Sequence, residues 1–266
     1  MYKIGLNHFN DISLLITHYN RSVSLGRLLN KMQELEISFK EIVVSDDCSK
    51  PEHQKNLAEF ETIYGIKLVK APINKGLANN LNKGQRAVQT PYTLYIQEDF
   101  VPTNKFLQAL KDGYSIIKED PSIDLVRFYA YRKYPFLKPL KHGFSEMIFR
   151  FWYPNRYQFN CYSDHPHLRH SNFLEKFGPY QEGIKSDKSE FKMVISFLQK
   201  KGRAIITDNI KDILAQVNDS LEPSQVKRKK LRVIFQRSES FPFVLFRFVF
   251  QNIKYRLQYL FQKSKV

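Results

Sequence analysis

Two pairs of adjacent acids stand at the ends of apolar runs: Asp46-Asp47 in VVSDDCS and Glu98-Asp99 in YIQEDFVP. A carboxylate at a strand end can accept hydrogen bonds from a nucleobase N–H or from ribose hydroxyls. The plainer role for Asp46 and Asp47 is capping or turn formation, where Asp is common. Glu98 and Asp99 would repel each other and lose hydration if buried. A divalent cation relieves that cost. Hard oxygen ligands suit Mg²⁺ or Mn²⁺, which usually share their coordination with substrate phosphates. The alternative is that both acids lie in solvent beyond the strand. Between the pairs runs NKGLANNLNKG, residues 74–84. Gly76 permits close backbone approach, and Asn74 and Lys83 can contact phosphate, although the segment is not a P-loop.

The elements that must position these groups follow in order. DISLLITHYN reads as a strand leading into a loop, and Val23, Leu25, Leu28, Leu29, Met32 and Leu35 then recur at helical spacing. EIVVSDD is a second strand. PEHQKNLAEFETIYG opens on Pro and closes on Gly, as helices often do. IKLVKAP is a third strand, and a helix follows Gly76. YTLYIQEDF is the fourth strand, a helix carries Phe106, Leu107, Leu110, Tyr114 and Ile117, and IDLVRFYAY is the fifth strand. This alternation predicts an α/β fold with a mixed, mostly parallel sheet flanked by helices on both faces. Ligands bind beyond the carboxyl ends of such strands. Thr17, Tyr19, Asp46, Asp47, Glu98 and Asp99 all reach that rim. From about Arg132 to His170 the pattern breaks into irregular connections and short elements rich in aromatics. SEFKMVISFLQKKG restores a helix and RAIITD a strand.

THYNR, VVSDDCS, NKGLANNLNKG and YIQEDFVP, in that order and at those separations, resemble the nucleotide-binding half of family-2 inverting glycosyltransferases of the GT-A (Rossmann-like) fold. The resemblance covers roughly residues 11 to 215. It implies that Thr17, Tyr19, Asp46 and Asp47 hold the base and ribose of a nucleoside-diphosphate sugar, with a UDP-sugar the favoured donor. It implies that Asp99 binds the metal, with Glu98 beside it on the nucleotide side. Two departures stand out. An Arg common just before the second Asn of the third motif is replaced by Leu81, so a phosphate contact is either missing or supplied by Lys75 or Lys83. A downstream His that completes the metal shell is replaced in ILAQVND by Gln216 or Asn218. The catalytic base falls in FGPYQEGIKSDKSEF. Asp187 matches the first acid of the family pattern, Lys188 stands where the base usually sits, and Glu190 matches a further acid, so Asp187 and Glu190 both remain candidates. An N-cap is the plainer role for Asp187.

His165, His167 and His170 lack a convincing metal-ligand pattern and read as lining an acceptor cleft or packing structurally. Trp152, Tyr153 and Tyr157 suit stacking on a sugar ring or an aromatic core.

Composition bounds the rest. The chain has 266 residues, 42% hydrophobic and 14% aromatic, which fits a folded protein with a sizeable core. Two distant cysteines, Cys48 and Cys161, point to a reducing compartment. Neither a secretory leader nor a membrane span is expected from the sequence. Net charge is +16, of which residues 227–266 carry +10, with 11 Lys or Arg against Glu239 alone. That placement argues against a nucleic-acid binder. The expected division is a catalytic domain over 1–226, with a nucleotide-binding part at 11–130 and an acceptor part at 131–215, followed by a basic, aromatic-rich helical tail at 227–266. Such a tail suits an anionic membrane surface and hence a cytoplasmic, peripheral location at the inner face of the cell membrane. The other readings of the tail are packing on the catalytic domain or on a second subunit. The function expected is metal-assisted sugar transfer to a glycan or lipid-linked acceptor in cell-surface polysaccharide or lipopolysaccharide synthesis. A nucleotidyltransferase is the first alternative, disfavoured because no Gly-rich loop bearing Arg or Lys follows the first strand. A non-catalytic glycan- or membrane-binding protein is the second, raised by Leu81, Lys188 and Gln216.

Overall fold

A computed structural model describes residues 6–217, 222 and 241–262. Asn218 and the KRKKLR run at 227–232 therefore lie outside the described residues.

The first half builds as the alternation predicts. Strands β1 (Asn7–His18), β2 (Ile37–Asp46), β3 (Lys67–Lys70) and β4 (Tyr92–Gln97) are joined by helices α1 (Ser22–Glu34), α2 (Pro51–Tyr64) and α3 (Leu77–Ala87). The four strands are parallel, in the order β3-β2-β1-β4. Burial on both faces explains the unbroken apolar run of β1. Leu14 and Ile16 pack with Leu25, Leu28 and Met32 of α1 on one face, and Leu15 packs with Leu81 of α3 on the other. Pro51 opens α2, and Gly65 at φ +62° closes it in the left-handed conformation, which costs glycine little. Gly84 lets α3 sit close to the sheet. A Cβ there would meet Leu15 Cδ1 at 2.6 Å and Ser45 Cβ at 2.9 Å.

The fourth strand is shorter than its apolar pattern. It ends at Gln97, and Glu98 and Asp99 form a turn. Phe100 then starts β5 (Phe100–Pro102), which leaves the main sheet. Helix α4 (Phe106–Glu119) returns the chain to β6 (Leu125–Arg127), likewise shorter than IDLVRFYAY. The β6 ladder stops because its neighbour runs back into Pro166, which has no N–H to donate.

The aromatic segment holds more order than its pattern suggests. It contains a hairpin, β7 (Leu137–Pro139) and β8 (Phe144–Met147), a 3₁₀ turn (Arg156–Asn160) and β9 (His167–His170). β9 is central. It runs antiparallel between β4 and β6, pairing Leu94 with Leu168 and Leu168 with Val126. Helices α5 (Phe173–Phe177) and α6 (Ser186–Gln199) follow, then β10 (Ala204–Thr207) beside β6 and β11 (Leu214–Gln216) antiparallel to β5. The full order is β3-β2-β1-β4-β9-β6-β10-β8-β7. Helix α7 (Phe241–Phe261) packs on α6 and the 3₁₀ turn. Tyr255 packs tilted on Phe191 and edge-on to Phe159, Tyr259 packs tilted on Phe149 and Phe151, and Arg256 Nε donates to Phe151 O at 3.1 Å.

Candidate active site

Register brings the first acids to one edge. Thr17 pairs with Ser45 of β2 and with Gln97 of β4, and His18 pairs with Asp46. Thr17 Oγ1 shares a hydrogen bond of 2.9 Å with Tyr95 Oη, while Tyr19 stands partly exposed in the loop beyond. Asp46 is placed beneath the rim, not on it. Its oxygens accept from Ser49 Oγ at 2.5 Å, Ser49 N at 3.0 Å and Gln54 Nε2 at 2.6 Å, with His18 Nδ1 at 2.8 Å. Burial alone would raise its carboxyl, but the bonds from His18 and Ser49 outweigh that and hold it at about 2. A group so fully bonded ties β1 to the loop after β2 and has no exposed face for a base or ribose.

Asp47 ties down the third motif. Its two oxygens accept from Lys75 N at 2.8 Å and Gly76 N at 2.7 Å. Gly76 takes φ +83°, and Asn74 Oδ1 accepts from the same Gly76 N–H at 3.2 Å. Lys83 turns inward. Its Nζ donates to Asp46 O at 2.5 Å and Val69 O at 2.9 Å. Burial lowers its pKa, against the pull of Asp47 and Asp46. Lys83 thus braces the strand ends, and exposed Lys75 is the cation of this motif open to a phosphate.

The second acid pair is bridged. Arg21 Nη1 lies 3.3 Å from Glu98 Oε1 and 3.3 Å from Asp99 Oδ2. Burial and the neighbouring Asp99 push Glu98 up to about 7, with Arg21 opposing. Gln216 Nε2 donates to Asp99 Oδ2 at 2.9 Å, and Val217 N donates to Asp99 O at 2.8 Å. The β5–β11 pair therefore delivers Gln216 to the side chain that the sequence matched to the metal. Asp99 Oδ1 is buried without a partner.

A cavity of about 380 Å³ is lined among others by Arg127, Tyr131, Tyr157, His165, Asp187 and Glu190. Tyr131 belongs to both sites, because its hydroxyl donates to Gln216 Oε1 at 2.6 Å. Asp187, in the first turn of α6, is exposed. Glu190 is more enclosed, and its Oε1 accepts from Asp164 N at 3.0 Å. Burial raises the Glu190 carboxyl, and burial with the Glu190 charge raises Asp164 well above the carboxylate range. His165 lines the cavity, its pKa driven down to about 3 by burial and by Arg127. His167 is buried, and the His170 ring is 3.1 Å from Ile123 O. The three histidines thus line the cleft or pack. Tyr157 lines the cavity, whereas Trp152 is 87% exposed.

A profile described as "Glycosyl transferase family 2" matches residues 13–182. The chain belongs to that family. Over 90 residues it is 31% identical to poly-beta-1,6-N-acetyl-D-glucosamine synthase of Staphylococcus epidermidis, covering 34% of this chain and 22% of that enzyme. The chain spans 37% or less of the length of the curated relatives it matches. Its fold is similar to S. aureus TarS 1–349 in complex with UDP-GlcNAc, with a TM-score of 0.61 and 14% identity over 93% of this chain and 73% of that one. It is also similar to the mannosyltransferase PcManGT from Pyrobaculum calidifontis in complex with GDP-Man and Mn²⁺, with a TM-score of 0.52 and 15% identity over 75% and 55%.

No group of three His, Cys, Asp or Glu able to hold an ion occurs among the described residues. The orphaned Asp99 Oδ1 nevertheless fits a cation held by one carboxylate oxygen and completed by substrate phosphates. Three residues bonded to this cluster or its cavity, Arg21, Tyr131 and Asp164, carry no role in the sequence analysis. Arg21 was visible in THYNR but carried no evident partner. Tyr131 closes the apolar run expected as the fifth strand, and Asp164 sits in the aromatic segment, where no periodicity assigns a side.

Proposed function

We propose that the protein is an inverting glycosyltransferase that moves a sugar from a nucleoside-diphosphate sugar to a hydroxyl of a glycan or lipid-linked acceptor. The observation that carries this reading is the link Asp99–Gln216–Tyr131, which joins the acid pair of the donor rim to a cavity that presents Asp187 and Glu190. Donor and acceptor can meet only where two such sites adjoin. The nucleotide sugars named with the similar structures support a donor of this class, and UDP-GlcNAc favours a UDP-sugar.

In this reading Thr17, Tyr19 and Glu98 contact the nucleoside, and Asp47, bonded to Lys75 N and Gly76 N, holds the loop that presents Asn74 and Gly76 to the donor. Asp46 and Lys83 keep the edge in shape. Asp99, through its unpartnered Oδ1, would hold a Mn²⁺ or Mg²⁺ ion, which would supply charge neutralisation for the leaving diphosphate. Asp187 is the base, because it stands exposed at the cavity in the first turn of α6, whereas Glu190 is more enclosed. Asp187 takes the proton of the acceptor hydroxyl. That oxygen bonds to the anomeric carbon from the face opposite the diphosphate, whose C–O bond breaks, so configuration inverts.

Calorimetric titration of UDP with and without Mn²⁺ tests the donor site in wild type and Asp99→Ala. Metal-linked binding that Asp99→Ala abolishes is expected. If neither protein binds any nucleoside diphosphate, the reading fails. Binding without turnover across a donor panel would instead favour a non-catalytic scaffold.

The same reading extends to place. Similarity to a polysaccharide synthase supports a role in cell-surface glycan assembly, with lipopolysaccharide one such product. No described helix is long and apolar enough to cross a membrane. Helix α7 instead packs by Tyr255 and Tyr259 and leaves Leu245, Phe246, Val249, Phe250, Ile253 and Leu257 exposed. With the basic run before it in sequence, this face fits an anionic membrane surface at the cytoplasmic side. Truncation of the tail would also uncover Phe159 and Phe191. The cleaner variant is Ile253→Ser with Leu257→Ser, expected to lose sedimentation with anionic liposomes at unchanged melting temperature. Retained sedimentation would sink the membrane reading.

A further inference from the structure

Arg21 is the member of the donor rim for which the roles above give no account. It follows THYN at the end of β1 and is 5% exposed. Its Nη1 reaches both acids of the turn, at 3.3 Å each. Its Nε and Nη2 are buried without a hydrogen-bond partner, as is Asp99 Oδ1 in the same cluster. Buried polar atoms are nearly always satisfied, so three orphans around one acid pair point to a ligand that completes them.

We propose that Arg21 is the resident counter-charge of Glu98 and Asp99, and that it makes cation binding conditional on the donor's diphosphate. The proposal rests on residues 98–99 forming the donor site. Two adjacent buried carboxylates without Arg21 would attract a divalent cation whether or not nucleotide were present. The bridging guanidinium offsets that field, and together with Gln216 it takes Asp99 Oδ2. A single oxygen, Oδ1, is left for the cation. One carboxylate oxygen holds a strongly hydrated Mg²⁺ or Mn²⁺ poorly, and phosphate oxygens are the usual remaining ligands. The diphosphate also brings anionic acceptors toward the two unpartnered guanidinium nitrogens, whose planar fork suits them. Metal and donor therefore strengthen each other's binding. Arg21 is a positioning residue here, acting on the ion through the acids it bridges.

The test is Mn²⁺ binding to the full chain, followed by the paramagnetic resonance of free Mn²⁺, with and without UDP. It needs no turnover. Wild type is expected to bind Mn²⁺ weakly alone and at least about tenfold more tightly with UDP. Arg21→Gln, which removes the charge, is expected to bind Mn²⁺ alone about tenfold more tightly than wild type, while Arg21→Lys stays near wild type. Equal UDP-free affinities of wild type and Arg21→Gln overturn the proposal. So does Mn²⁺ binding by wild type that bound UDP fails to strengthen. Should Arg21→Gln not fold, Glu98→Gln decides. It leaves Arg21 to offset Asp99 alone, so Mn²⁺ binding with UDP should weaken, and unchanged affinity overturns the proposal. If UDP binds under no condition, it is the donor-site reading that falls, and the UDP-free comparison still judges Arg21.

Discussion

Gln216 Nε2 donates to Asp99 Oδ2 at 2.9 Å, although 117 residues separate the two in the chain. The β5–β11 pairing sets Gln216 opposite Phe100, the residue after Asp99. The amide of Gln216 thereby fixes which way the Asp99 carboxylate faces. Gln216→Ala removes that donor and the acceptor of Tyr131. A stability loss of about 1–2 kcal/mol is expected, with weaker Mn²⁺-dependent UDP binding. Chemical denaturation and calorimetry together check it. Full stability with unaltered nucleotide binding would show that the contact orients nothing.

Asp46 gives a pH signature. Its folded carboxyl sits near 2, below the ordinary value of 3.8. The folded state therefore binds fewer protons than the unfolded state between those values. Stability from Asp46 is fully present above about 4 and disappears as pH falls through about 2. A shift of this size corresponds to about 2 kcal/mol. Asp46→Asn should lose about that much at pH 7, and the difference from wild type should shrink towards pH 2. A difference that is flat with pH would assign the loss to packing instead.

Gly84→Ala probes how closely α3 approaches the sheet. The added methyl would lie 2.6 Å from Leu15 Cδ1 and 2.9 Å from Ser45 Cβ. Overpacking of this kind costs about 1–3 kcal/mol. Because α3 begins at the Gly76 loop, its displacement should also weaken UDP binding. Urea denaturation with a parallel UDP titration reads both effects. A variant as stable as wild type would mean that the helix shifts freely.

Asp187 and Glu190 separate by readout. Asp187→Asn should lower kcat by about 10²–10⁴ with little change in stability, as loss of a general base does. Glu190→Gln keeps an acceptor for Asp164 N and should retain more activity than Asp187→Asn. The reverse order in donor turnover would exchange their roles.

How far these sites could be read in the sequence follows from which forces act locally. The β1–β4 half was readable because strands buried on both faces leave unbroken apolar runs, and α2 was marked by Pro51 and Gly65. β9 was not readable. HLRH carries Arg169 in the middle of the sheet, where it is fully buried and its two Nη atoms donate to Tyr180 Oη at 3.1 Å and Gln85 Oε1 at 2.8 Å. No local pattern reveals partners so distant in sequence. Strand ends at Gln97 and Arg127 were overrun because Phe100 and Phe128 stay buried outside the main sheet, so apolar character outlasts the ladder. At the rim, residue types identified the acids, but only the hydrogen bonds distinguish Asp46 and Lys83, which brace the edge, from Asp99, which keeps an open oxygen.

The reversed strand β9 has a consequence for the order in which the chain acquires its shape. β4 receives β1 on one side early, but its other side is filled only by residues 167–170. During synthesis the first four strands can collapse on their helices while that side of β4 remains an open edge, able to pair with any passing strand. Closure waits for a contact of some 75 residues' separation, Leu94 with Leu168, and such long-range pairings form slowly. The two halves of the sheet thus depend on this one strand for their junction.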